Sequence, residues 1–137
     1  YDATQRALEL APGASQVERD LIGALSARYP EPEPTGELEA WTRAYADAMG
    51  EVYGAHADDL DVAAVYADAL LNVTPWALWD LSTAGPADGA HTVRARQVLE
   101  TALPQPGGMT HPGLLHFYIH LMEMSPTPEA ALDAAAG

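Results

Sequence analysis

His116, His120 and Glu123 are the residues of this sequence best spaced to act together. On an α-helix they fall within an arc of about 60°, one narrow stripe. Two imidazoles four positions apart can reach a single cation, and a carboxylate three residues further on can serve as a third ligand or a general base. The chemistry that follows is that of a divalent transition metal: zinc, iron, manganese or copper. No glutamate follows His116, so the His-Glu-x-x-His protease motif is absent. Around the stripe stand Leu114, Leu115, Phe117, Tyr118, Ile119, Leu121, Met122 and Met124. A helix so apolar around its circumference must be packed on most sides, which leaves the polar stripe to line a cavity or cleft. A second reading stays open, in which both histidines make ordinary hydrogen bonds in a helical groove with Glu123 as their partner.

A weaker stripe precedes it. Asp61, Asp68 and Asn72 lie within about 40° of one another on a helix otherwise built of alanine, valine, leucine and tyrosine. Asp68 could supply the opposing carboxylate of a metal shell, and Asp61 reads equally as a charge favoured by the helix dipole. His91 lines up with Ala95, Val98 and Ala102 and could complete the shell, the alternative being an interior histidine held by a backbone carbonyl. His111, before Pro112, is expected to shape the start of its helix. Trp41, Tyr45, Tyr53, Trp76 and Trp79 read as packing residues; exposed on a concave face, they would form a peptide groove. Ser15, Ser26, Ser82 and Ser125 stand in no Gly-x-Ser-x-Gly elbow, so a serine hydrolase has no support.

The elements that must position these groups are helices. Alanine is abundant and apolar positions recur at three and four, which predicts an all-α fold with no strand worth naming. The first helix spans 2–10 and stops at Ala11-Pro12-Gly13. A second opens at Ser15, with Glu18 completing a capping box, and buries Val17, Leu21, Ile22, Leu25 and Tyr29. Three prolines in 30–34 dictate an extended linker over 29–36. A third helix covers 37–56, with Leu38, Trp41, Tyr45, Met49, Val52 and Tyr53 on its apolar side. The fourth covers 61–73 and ends at Thr74-Pro75. Trp76, Leu78 and Trp79 make an aromatic turn before a loop at Gly85, Pro86 and Gly89. The fifth covers 90–103, the sixth 112–124 and a seventh begins near Pro128. Seven helices joined by breaker-rich loops describe antiparallel pairs stacked side by side.

Of 137 residues, 48% are hydrophobic, enough for one domain with a real core. The expectation is a single helical domain over 1–137, part of a longer protein because the chain opens without methionine. Twenty acidic residues against six basic ones give a formal charge of -14, so phosphate backbones and anionic lipid surfaces are repelled. Neither nucleic acid nor a membrane is an expected partner. There is no cysteine, and every basic residue is arginine, which excludes thiolate zinc sites, cysteine nucleophiles, lysine Schiff bases and a Walker-type loop. No apolar run approaches the roughly 18 residues that span a bilayer, and no secretion signal is present, which favours the cytoplasm.

Three junctions look alike: 6–12 (RALELAP), 53–59 (YGAHADD) and 98–104 (VLETALP). They recur about every 45 to 55 residues, a longer and less regular period than the 34 of a strict tetratricopeptide repeat. The segments 59–70 (DLDVAAVYADAL), 71–79 (LNVTPWALW) and 111–125 (HPGLLHFYIHLMEMS) resemble parts of a bacterial family of tetratricopeptide-repeat-like (TPR-like) proteins of unknown function. The resemblance covers 58–136, and HPG-x-x-H-x-Y-I-H-x-x-E is its most specific part. The chain departs from the family pattern at Asp68, where glutamate is expected. The resemblance implies an α-solenoid of helix pairs and brings no established reaction.

Two functions from different classes follow. One is a TPR-like helical-repeat module that binds a peptide or partner protein along a groove, with a homo-oligomer also open. The other is a metal-binding protein or metal-dependent enzyme, with His116, His120 and Glu123 as core ligands and Asp68 or His91 completing the shell. Whether the chain is an enzyme stays open between them.

Overall fold

The computed structural model describes residues 1–33 and 36–136. The fold is all-α. Among the described residues the helices are α1 (Asp2–Leu10), α2 (Gln16–Arg28), α3 (Leu38–Ala55), α4 (Leu60–Leu71), α5 (Thr92–Ala102), α6 (Pro112–Met122) and α7 (Leu132–Ala136). Short 3-10 turns at Ala11–Gly13, Gly108–Thr110 and Pro128–Ala131 occupy breaker positions. The expectation of no strand is corrected by one small antiparallel ribbon, β1 (Trp79–Asp80) with β2 (Gly85–Pro86), in which Trp79 faces Pro86 and Asp80 faces Gly85. Positions 34 and 35 of the proline linker lie outside the described residues. The chain packs as two compact units, Tyr1–His56 and Ala57–Gly137.

In the first unit α2 packs on α3 and α1 on α2. The capping box forms as its sequence dictates: Glu18 N–H donates to Ser15 Oγ, and Ser15 N–H donates to Glu18 Oε2 at 2.8 Å. The serine's hydroxyl and amide together hold the Glu18 carboxyl below the usual carboxylate range. At the far end of α3, His56 Nε2 lies 2.7 Å from Asp20 Oδ2 on α2. That hydrogen bond is the main cause of a depressed Asp20 pKa. Met49 is fully buried, with Ala46, Val52 and Tyr53 beside it.

The expected face of α2 needs correction. Only Ala24 of that helix is fully buried, while Val17, Leu21, Ile22 and Leu25 are half-buried and Tyr29 is exposed. Gly23 of α2 and Gly54 of α3 are both exposed, and a Cβ at either would meet nothing within 4 Å. Gly23→Ala and Gly54→Ala are each expected to raise stability by about 0.5–1 kcal/mol, since alanine loses less backbone entropy in a helix. A urea titration of each variant checks this, and a lowered midpoint in both would contradict it.

In the second unit α4, α5 and α6 pack against one another in all three pairings, and α6 also carries the 128–136 segment. Asp59 caps α4 by accepting from the Asp61 and Val62 amides. Ala63, Ala64, Ala67 and Ala69 are all buried, so α4 is the thin helix onto which the others close. The closeness is measurable at Gly113 of α6, where an added Cβ would stand 3.1 Å from the Ala64 Cβ. Leu99, Leu114, Leu121 and Met122 fill the centre with no exposed surface. Tyr118 on α6 donates its hydroxyl to Glu100 on α5, which also accepts from Arg96 at 2.7 Å. Burial first, then the Glu100 carboxylate, raises the Tyr118 pKa above that of a free phenol.

Candidate functional site

The helix that carries the histidine stripe is started by a histidine of its own. His111 is the N-cap of α6: Leu114 N–H donates to His111 Nδ1 at 3.2 Å, and Pro112 occupies the first turn, where its missing N–H is no loss. With Nδ1 accepting, the neutral ring keeps its proton on Nε2, which donates to Asp61 Oδ1 at 3.0 Å. One imidazole thus satisfies an orphan amide of α6 and ties it to the first turn of α4. Asp61 is 88% exposed and turned to this contact, so it belongs to the frame of the site and not to its chemistry.

A hairpin supplies the third wall. Asp80 accepts from the Ser82 amide at 2.8 Å, the Ser82 hydroxyl at 2.7 Å and the Thr83 hydroxyl at 2.9 Å, which closes the ribbon between β1 and β2. The Ser82 hydroxyl and amide, then Thr83, hold the Asp80 carboxyl below its ordinary range. Thr92, at the start of α5, donates its hydroxyl to the Leu78 carbonyl. Trp79 donates its indole N–H to the Leu121 carbonyl at 2.6 Å, filling an acceptor that the end of α6 leaves open. The ribbon is therefore fastened to α5 and α6, and Trp79 is held in place.

Between the end of α4, this fastened turn and the end of α6 lies a cavity of about 220 Å³. Leu71, Pro75, Leu78 and Met124 give it an apolar wall; Trp76, Trp79 and Phe117 give it aromatic rings. Its polar groups are Asp68 and Asn72 from α4 and His120 and Glu123 from the end of α6. Asn72 Nδ2 donates to Asp68 Oδ1 at 2.8 Å and to the Asp68 carbonyl, which both orients the carboxylate and caps the helix end. His120 Nδ1 lies 3.1 Å from Glu123 Oε1.

Trp76 is the least expected member. It follows Thr74-Pro75, takes a left-handed backbone angle of φ 64°, and is 84% exposed. A bulky residue in that region is strained by about 1–2 kcal/mol. The general expectation of packing holds for Trp79, which is half-buried, and is corrected for Trp76.

The five residues singled out for a metal shell are distributed as follows. Asp68, His120 and Glu123 line the one cavity. His116 is exposed and stacks edge-to-face on Phe117 and on His120, with ring centres 4.5 Å apart in the latter pair; it is not among the lining residues. His91 is the half-buried N-cap of α5 and makes no side-chain capping bond; it too lies outside the lining. Ala95, Val98 and Ala102 are buried as the inward row of α5, but the helix begins after His91. Among the described residues no group of three or more histidine, aspartate or glutamate side chains is arranged to hold a metal ion. What the site can do is enclose a small group against aromatic rings while presenting two carboxylates and an imidazole. Comparison with protein-family models, curated proteins and solved structures returned no match.

Proposed function

We propose that this chain is a helical-repeat binding module of the TPR-like kind, which holds a peptide segment of a partner protein at the cavity between α4, the 72–79 turn and α6. The observation that carries the reading is Trp76. A strained backbone places a large indole in solvent at the mouth of a half-apolar cavity, an arrangement that lowers stability and gives back nothing unless something covers the ring. Aromatic anchors beside a pocket are the commonest centres of protein–peptide affinity. The metal reading has less to draw on: of its five residues Asp68, His120 and Glu123 line the cavity, and among the described residues no group of three is arranged to hold a metal ion.

The test separates binding from folding. An array of 12-residue peptides, varied at the central position across all side-chain classes, is titrated with the wild-type chain and with Trp76→Gly. Wild type is expected to bind at least one class with Kd below about 100 μM. Trp76→Gly is expected to weaken that binding by about tenfold or more while its urea midpoint stays level or rises, because glycine accepts the left-handed angle. No binding anywhere on the array, or a glycine variant that binds like wild type, would overturn the proposal.

A further inference from the structure

We infer that the side chain seated in this cavity is an arginine, presented by a basic segment of the partner protein; this rests on the binding-module reading above. Asp68 of α4 and Glu123 at the end of α6 bring two carboxylates to the cavity from different parts of the fold, and residues 57–137 contain two arginines, Arg94 and Arg96. Residues 57–137 carry ten acidic side chains against those two arginines, so the field around the cavity attracts cations and repels phosphate or carboxylate ligands.

The remaining lining selects among cations. Trp76, Trp79 and Phe117 line the cavity with aromatic rings, whose quadrupole favours positive charge over the ring face. A guanidinium stacks on an indole and still donates in its own plane to carboxylates, whereas a lysine ammonium offers a hydrated point charge. His120 Nδ1 lies 3.1 Å from Glu123 Oε1, a contact that holds the carboxylate at the cavity wall. The Asp68 carboxylate is already oriented by Asn72, which reduces the ordering needed on binding. A volume of about 220 Å³ suits one long side chain and excludes a folded element.

The experiment uses one peptide frame of glycine and serine with a single central residue, either arginine, lysine, citrulline or norleucine, titrated by calorimetry against the whole chain. Citrulline keeps the shape of arginine and removes its charge. The arginine peptide is expected to bind about tenfold or more tightly than the citrulline peptide, and more tightly than the lysine peptide. In the double variant Asp68→Asn with Glu123→Gln, the arginine preference is expected to fall to about threefold or less while citrulline binding is retained, which shows the pocket intact. Norleucine or citrulline binding as tightly as arginine in the wild-type chain would overturn the arginine assignment and leave the binding module standing. Absence of binding by every peptide would remove both. Acetyl-arginine amide binding as tightly as the full peptide would overturn the peptide occupant in favour of a free guanidine compound.

Discussion

Leu114→Ala is expected to lower the unfolding free energy of the second unit by about 3 kcal/mol, within the range of leucine truncations that leave a cavity. Leu114 has no exposed surface, and its own amide is the one that His111 accepts. It sits one residue after Gly113, where α6 approaches Ala64 of α4 so closely that an added methyl group would press against it. Helix backbones already in such close approach have little room to move further together into the vacated space. Little relaxation is therefore available, and the transfer and cavity costs add. Leu132, 66% exposed, provides the contrast: Leu132→Ala is expected to stay within about 0.5 kcal/mol of wild type. Urea unfolding followed by tryptophan fluorescence measures both, in a Trp41→Phe background so that Trp76 and Trp79 report on the second unit alone. A Leu114→Ala change below about 1 kcal/mol would show that α4 and α6 close up more readily than their packing implies.

What the sequence discloses about this molecule is local, and the reason is physical. A capping box is made by residues three apart, so Ser15 and Glu18 announce α2 without any knowledge of the fold. His111-Pro112 likewise marks the start of α6, and Asp2–Leu10 is bounded by Ala11-Pro12-Gly13 as written. Periodicity identifies which side of a helix faces inward but not how deep it goes, which is why Ala24 and not Leu21 or Ile22 is the buried residue of α2. Contacts between residues far apart leave weaker traces. The pairing of His111 with Asp61, fifty positions away, has no local signature, and neither has the Trp79 indole bonded to Leu121.

The candidate site divides along the same line. Helical spacing correctly put His120 and Glu123 within reach of each other, and their hydrogen bond forms. His116 has the same spacing argument behind it and is exposed like His120, on which it stacks, but it is not among the residues that line the cavity. His91 lies outside the lining for a different reason: the α5 pattern extended back to 90 starts two residues before Thr92, where the helix forms. For Trp76 the sequence leaves packing and an exposed groove position both open, and the left-handed backbone after Pro75 with its exposed indole distinguishes them.

Gly108→Ala is expected to be the most damaging single methyl group in the second unit, costing about 3 kcal/mol or more. A Cβ there would stand 2.4 Å from the carbonyl oxygens of both Ala102 and Leu103, and 2.8 Å from the Leu103 carbonyl carbon. These are backbone atoms at the end of α5, held by the bonds from Leu103 N–H to Leu99 O and from Gln105 N–H to Ala102 O. A side chain could swing aside; a hydrogen-bonded helix end cannot, so the 105–111 segment must move. That segment leads into His111 through the bond from its amide to the Gly108 carbonyl, so the α6 cap and the contact with Asp61 shift with it. Neighbouring Gly107 isolates the effect of close approach from that of backbone angle. It has φ +90°, and its added Cβ would meet only the Leu60 side chain, at 3.6 Å. Gly107→Ala therefore bears conformational strain alone, about 1–2 kcal/mol. Urea midpoints in the Trp41→Phe background should fall in the order wild type, Gly107→Ala, Gly108→Ala. If the last two were reversed, backbone conformation rather than the packing of Gly108 on the α5 terminus would be the constraint that fixes where α6 begins.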